Sequence, residues 1–284
     1  MKKDKLGILY SLPLSLWLLF FFAAPMIIVL VYAFLQRGTY GGVEFVFTLK
    51  SFSVFTSRVF IIVFVRTIII SIFITIFTVG LAIPSAYFIA RSKYKQELLF
   101  LIIIPFWTNL LIRIYAWIAI LGNNGLVNEF LIWSGISKEP LQLLYNITAV
   151  IIISVYTNLP FAILPLYAVI EKFDFSLMEA ARDLGATNAE AFFKVFIPNI
   201  KSGIVTAVLF TFIPSLGSYA VPRLVGGTKG IMLGDFIARQ LLTAKDWPRA
   251  SAISAILILL TSLSIFAFSK ISNKNKEMVG DDNE

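Results

Sequence analysis

Six long stretches of this 284-residue sequence are almost free of charge, and stretches of that kind have few ways to fold. They run Ile8–Leu35, Thr67–Ala90, Leu98–Leu121, Leu141–Ile170, Ser202–Pro222 and Ala250–Ser269, and Arg113 is the one charge inside any of them. Each is 20 to 30 residues long, and about 20 suffice for a helix to cross about 30 Å of hydrocarbon. The runs are continuous rather than alternating, which disfavours a β-barrel, and a helix satisfies its own backbone hydrogen bonds in lipid. The expected fold class is therefore all-α, a polytopic membrane protein with six transmembrane helices. A composition of 58% hydrophobic and 14% charged residues agrees, because a soluble core of this size cannot enclose that much apolar surface.

The first run resembles a signal peptide, with Lys2, Lys3 and Lys5 ahead of it and Ala23-Ala24 further on. It spans 28 residues, however, where a signal core has about 7 to 15, and Pro25 would become the first mature residue. It is expected to stay as a membrane anchor. With residues 1–7 inside, 13 basic residues fall in the inner segments and 10 in the outer ones. The positive-inside rule then places the N-terminus and the 271–284 tail in the cytoplasm. The tail, polar from Asn273, is expected to be disordered. The net charge of +8 is spread over these segments and forms no nucleic-acid patch.

The same inventory limits function. Zero His and zero Cys remove imidazole bases, thiolates and the usual zinc, haem or iron–sulfur sites. The six runs contain no Asp, Glu or His, whereas proton- and sodium-coupled carriers place ionisable groups inside their spans. No carboxylate pair, metal cluster or nucleophile–base set marks a membrane enzyme.

Glu171–Lys201 is the longest inner segment, with nine charges that nearly cancel. Ser176 and Glu179 have capping-box spacing, which predicts a helix carrying Leu177, Ala180, Ala181 and Leu184 on one face. Gly185 is placed to end it in the left-handed conformation. Thr187 and Glu190 repeat the box spacing, predicting a second helix that Pro198 stops. Arg182, Asp183 and Glu190 would rim a docking site on the cytoplasmic face.

Glu179-Ala180-Ala181, three residues, Gly185, nine residues and Val195-Phe196-Ile197-Pro198 resemble the EAA loop of ABC importer permeases, EAA-x3-G-x9-I-x-L-P. Val195 stands for the Ile and Ile197 for the Leu. The resemblance implies the type I importer permease fold over residues 8–270, with loop 171–201 as the coupling element. Glu179, Ala180, Ala181, Arg182, Asp183, Gly185, Ile197 and Pro198 would then meet a separate ATPase subunit. Further stretches, among them Pro105–Asn109, Leu111–Tyr115, Asn128–Leu131, Leu177–Ala186 and Asp246-Trp247-Pro248, are similar to permeases of spermidine/putrescine importers. That similarity implies a bacterial inner-membrane location, ATPase subunits that use ATP and Mg, a second homologous permease and an extracytoplasmic polyamine-binding protein. This chain lacks GxxxxGK[ST] and would bind no cofactor itself.

For a polyamine, the expected path residues are Asn109, Arg113, Tyr115, Trp117, Asn158 and Tyr219, since aromatic faces suit ammonium groups and amides in spans line paths or bond across helices. Glu129, Asp235 and Asp246 are acidic candidates near the outer openings, with solvated loop positions expected. An anionic cargo stays open as well, because Arg223–Arg249 carries five basic residues against two acidic ones.

Overall fold

The computed structural model describes residue 10 and residues 12–280, with side chains to Phe266; the Lys2, Lys3 and Lys5 cluster and the last four tail residues lie outside the described residues. In chain order the helices and strands are α1 (Leu12–Ala33), β1 (Leu35–Arg37), β2 (Val43–Phe47), α2 (Arg58–Arg91), α3 (Lys95–Ile103), α4 (Leu110–Leu121), α5 (Leu126–Trp133) and α6 (Ile147–Ile170). They continue as α7 (Ser176–Asp183), α8 (Asn188–Asn199), α9 (Lys201–Leu216), α10 (Ala220–Val225), α11 (Leu233–Ala238) and α12 (Trp247–Gly280). Among the described residues, α1, α2, the stretch Leu110–Trp133, α6 and Trp247–Phe266 are each long and apolar enough to cross a bilayer. The pair α8 and α9, bent by 70°, supplies a sixth candidate.

Two of the expected spans are not single helices. The run 98–121 breaks where Pro105 removes a backbone N–H. A 3-10 turn over Ile104–Trp107 is followed by extended Thr108, and Asn109 restarts the chain as α4 by accepting the Leu111 N–H at 2.8 Å. The run 202–222 stops at Leu216, because Gly217 and Ser218 interrupt it before Pro222 enters α10. The polar tail, expected to lack structure from Asn273, continues as helix to Gly280; Lys, Met and Glu are good helix formers and no Gly or Pro intervenes.

The chain divides into two compact units. One comprises the described residues up to Val63 together with Phe236–Leu260. In it, the π-turn Leu19–Ala23 precedes Pro25 in α1, where the ring would otherwise crowd the preceding turn. β1 and β2 pair antiparallel, and their hairpin is pinned by Gly42 N–H to the Lys245 carbonyl at 3.0 Å and by Arg37 Nη2 to the Ala244 carbonyl at 2.8 Å. Asp246 caps α12, accepting the Arg249 N–H at 3.1 Å.

The other unit comprises Phe64–Asp235 and the described residues from Thr261. Its two cores are strung along α2. The buried stripe of α2 includes Thr67, Ser71, Thr75, Thr78, Ala82 and Ala86, small residues that let neighbouring helices approach closely in lipid. Against α6, α9 packs through Gly203, where a Cβ would stand 3.1 Å from Val169. The α4–α5 turn requires Gly125, since a Cβ there would lie 2.4 Å from the Ala119 and Ile120 carbonyl oxygens.

Fully buried Asn128 closes that turn. It donates from Nδ2 to the carbonyls of Gly122 at 2.9 Å and Leu141 at 3.0 Å, and its Oδ1 accepts the Leu141 N–H at 2.8 Å. Replacing it with a shape-matched apolar residue strands those backbone groups. Asn128→Leu is expected to cost on the order of 3 kcal/mol, read as a fall of several degrees in the Tm of the protein in nanodiscs. An unchanged Tm would show that the clamp contributes nothing.

Candidate functional site

The segment after α6 folds as two short helices about a tight bend. At its start the structure departs from the expected capping box. Phe175, not Ser176, precedes the helix, and Asp174 accepts the Ser176 N–H at 2.9 Å. The Ser176 hydroxyl and N–H both hold the Asp174 carboxyl below its usual range. At the other end the Schellman pattern is complete: Ala186 N–H reaches the Ala181 carbonyl at 3.0 Å and Gly185 N–H the Arg182 carbonyl at 2.9 Å. Gly185 has φ +93°. A Cβ there would meet nothing within 4 Å, so the requirement for glycine lies in the backbone alone.

The second capping box forms as the spacing predicts. Thr187 Oγ1 accepts the Glu190 N–H at 3.2 Å and Glu190 Oε2 accepts the Thr187 N–H at 3.0 Å. Lys194 Nζ adds a bond to Glu190 Oε1 at 2.9 Å. The Thr187 N–H, Lys194 and the Thr187 hydroxyl together lower the Glu190 pKa to about 2. This helix ends at Asn199, one residue past Pro198, close to the expected stop. A π-turn over Ala191–Phe196 precedes Pro198, and the chain bends at buried Ile200.

An aromatic cluster that the sequence reading missed holds the loop to the end of α2. Fully buried Phe196 lies 5.1 Å from Tyr87, 5.3 Å from Phe173 and 5.2 Å from Phe192, measured between ring centroids. Arg91, the last residue of α2, donates to the Tyr87 hydroxyl at 2.9 Å and lies over the Phe175 ring at 5.4 Å. The i, i+4 pair Phe192 and Phe196 was the available signal. Beside the cluster, Lys95 and Glu171 pair at 2.6 Å, which keeps the Glu171 carboxyl below its ordinary range.

The expected loop residues divide by direction. Met178 and Ala181 turn into the core, while Leu177, Ala180 and Leu184 face outward, Leu184 at 90% exposure. The four-residue face drawn from the spacing is thus an outward strip of three, with Ala181 behind it. Glu179 is exposed, and with Arg91 and Arg182 it lines a cleft of about 370 Å³. Arg182 is held by the Met178 carbonyl at 3.1 Å and Asn188 Oδ1 at 3.5 Å. Asp183 closes α7 exposed, Ile197 packs on the core, and Pro198 is exposed.

The expected path residues are only partly brought together. The Arg113 guanidinium sits 4.2 Å from the Phe106 ring centre, and Trp117 meets Tyr156 at 5.5 Å. Phe106 in turn faces Tyr156 at 6.4 Å and Phe161 at 6.1 Å. Nε and Nη1 of Arg113 are buried without a hydrogen bond among the described residues. Asn109 is spent as a helix cap, and Asn158 donates back to the Ser154 carbonyl at 2.7 Å. Tyr115 and Tyr219 are more than half exposed and make no ring contact among the described residues.

Of the acidic candidates, Glu129 is exposed, but Asp235 and Asp246 are buried rather than solvated. Arg223 Nη1 lies 3.2 Å from Asp235 Oδ1, and Arg249 Nε lies 3.6 Å from Asp246 Oδ2.

The model of the family described as binding-protein-dependent transport system inner membrane component matches residues 5–276. The chain belongs to that family. This inner membrane component is 36% identical over 267 residues to the spermidine/putrescine transport system permease protein PotB of Escherichia coli (strain K12), covering 92% of this chain and 97% of the relative. It is 38% identical over 267 residues to PotB of Haemophilus influenzae, covering 92% and 93%. A crystal structure of a bacterial ABC transporter involved in the import of the acidic polysaccharide alginate superposes on it with a TM-score of 0.75 at 20% identity, covering 96% of both chains. The type I importer permease fold expected from the EAA resemblance is therefore its fold.

Two local outcomes follow for this inner membrane component. Gly185→Ala forces an L side chain into left-handed backbone at about 1–2 kcal/mol, so amide exchange at Gly185 and Ala186 is expected to quicken roughly 5- to 30-fold. Unchanged protection would show that the left-handed backbone at this position does not hold the bend. Because the Glu190 pKa is lowered from 4.5 to about 2, its contribution is fully present above the unfolded value and is lost as pH falls through the folded one. Protection of the Thr187 amide, which donates to the Glu190 carboxylate, should therefore persist at pH 4 and decline toward pH 2; a decline centred at 4.5 would contradict the box.

Proposed function

We propose that this chain is a permease subunit of an ABC importer for polyamines, with spermidine and putrescine as its cargo. The identity of 36–38% over 267 residues to PotB from two organisms is the observation that carries this reading. ATP, with its Mg, is hydrolysed on a separate ATPase subunit. A second homologous permease completes the pathway, and an extracytoplasmic binding protein delivers the cargo. In this arrangement the 171–201 loop and both termini are cytoplasmic.

The ATPase docks on the outward strip Leu177, Ala180 and Leu184, with Glu179, Arg182 and Asp183 as its polar rim. Ala180 keeps the strip low enough for close approach, and Gly185 fixes the angle between α7 and α8. The cluster around Phe196 then couples the loop to α2 as one body, so ATPase closure drives alternating access by rigid-body movement.

An anionic cargo is the second reading. Both buried carboxylates near the last outer segment are already paired with arginines, and that segment stays basic. The alternatives separate in a reconstituted complex of ATPase, both permeases and binding protein. Spermidine or putrescine is expected to raise ATP hydrolysis, while sulfate or alginate oligosaccharide is not; stimulation by an anion alone would overturn the polyamine reading. Leu184→Asp, fully outward, is expected to lower polyamine transport at least about tenfold, equivalent to about 1.4 kcal/mol of lost coupling, while membrane insertion is unchanged. Normal transport by that variant would remove the docking strip.

A further inference from the structure

The hairpin after α1 leaves an apolar side uncovered. Phe45 and Phe47 share one face of β2 and are 84% and 72% exposed, and Leu49 just beyond is 61% exposed. The hairpin does not swing freely, since its turn is tied to Ala244 and Lys245 and its base to the end of α1. At that base Thr48 N–H donates to the Phe34 carbonyl at 2.8 Å, and Phe34 stacks on Phe47 at 6.0 Å. A fixed hairpin with an open aromatic face points to something that covers it.

The height of the hairpin says what. The 22 residues of α1 rise about 33 Å, which already spans the hydrocarbon layer of about 30 Å. Phe47 pairs with Leu35, two residues past the end of that helix, and Phe45 is one pleat further along. Both therefore sit at the level of the lipid headgroups, where aromatic side chains gather. Exposed Lys50 and Arg58 flank the same stretch, and Glu44 is the one acidic residue between Phe34 and Arg58. Apolar rings beside a net positive charge match a phospholipid surface, with the hydrocarbon boundary for the rings and phosphates for the cations.

We propose that the β1–β2 hairpin is an interfacial anchor, with Phe45, Phe47 and Leu49 seated in the phospholipid headgroup layer and Lys50 and Arg58 on its phosphates. The turn, where Tyr40 is 98% exposed, points into water. This placement depends on the membrane topology and not on the identity of the cargo.

The chain has no cysteine, so a single introduced thiol is the one label site of this subunit, and the partner subunits are prepared with their own cysteines replaced. Phe45→Cys, Leu49→Cys and Tyr40→Cys would be labelled in the assembled transporter, in nanodiscs of phosphatidylethanolamine and phosphatidylglycerol. Collision rates with oxygen, which partitions into lipid, and with a water-soluble nickel chelate would then be compared. The expected result is an oxygen-to-nickel ratio severalfold higher at 45 and 49 than at 40, unchanged when a purified spermidine/putrescine-binding protein is added. Nickel access at 45 and 49 equal to that at 40 would overturn the proposal. So would protection that appears only with the binding protein, which would make the hairpin a protein-docking surface, or a label screened from both reagents, which would place it under a neighbouring subunit.

Discussion

Hydrocarbon offers a backbone no hydrogen-bonding partners, so wherever a helix stops inside or near it the protein itself must supply them. Several breaks in this chain obey that constraint by means of short polar side chains. Asn109 closes the start of α4, Asn146 accepts the Ala149 N–H at 2.8 Å to start α6, and Asn128 serves three groups of the α4–α5 turn. Asp246 does the same for α12. Asn109 and Asp246 read as candidate ligand groups in the sequence because they are polar among apolar neighbours, yet each already accepts a backbone N–H.

The 171–201 loop is organised differently, by aromatic packing. Tyr87 and Arg91 come from the end of α2, Phe173 and Phe175 from the segment before α7, and Phe192 and Phe196 from α8. Rings from three parts of the chain meet mostly edge to face, an arrangement worth more than their burial alone. The result is a loop with a buried heart, which explains how it keeps α7 and its outward leucines in a fixed pose.

What could be read from the sequence followed the range of the interaction. The apolar runs were legible because their length and lack of charge answer to the bilayer alone, and the Gly185 bend and the Thr187–Glu190 box because they are local. The first box failed since Asp174 reached the Ser176 N–H before Ser176 could act as a cap. Uniform hydrophobicity hid the break at 104–109, although Pro105 and Asn109 were its markers. The pairing of Asp235 with Arg223, twelve residues apart, has no signature in spacing, whereas Asp246 ahead of Trp247-Pro248 could have been recognised as a helix start. Among the path residues, the stacking of Arg113 on Phe106 was out of reach because the chain breaks between them.

The elbow at Ile200 has a mechanical meaning. The twelve residues of α8 form an arm about 18 Å long, set at 70° to α9 with buried Phe196 and Ile200 beside the pivot. Such a crank turns a sideways push at the far end of the arm into rotation of the helix beyond it. A displacement of about 2 Å there, the size of ordinary helix shifts, corresponds to a tilt of about 6°. A helix continuous with α9 would instead have transmitted the same push as a thrust along its own axis.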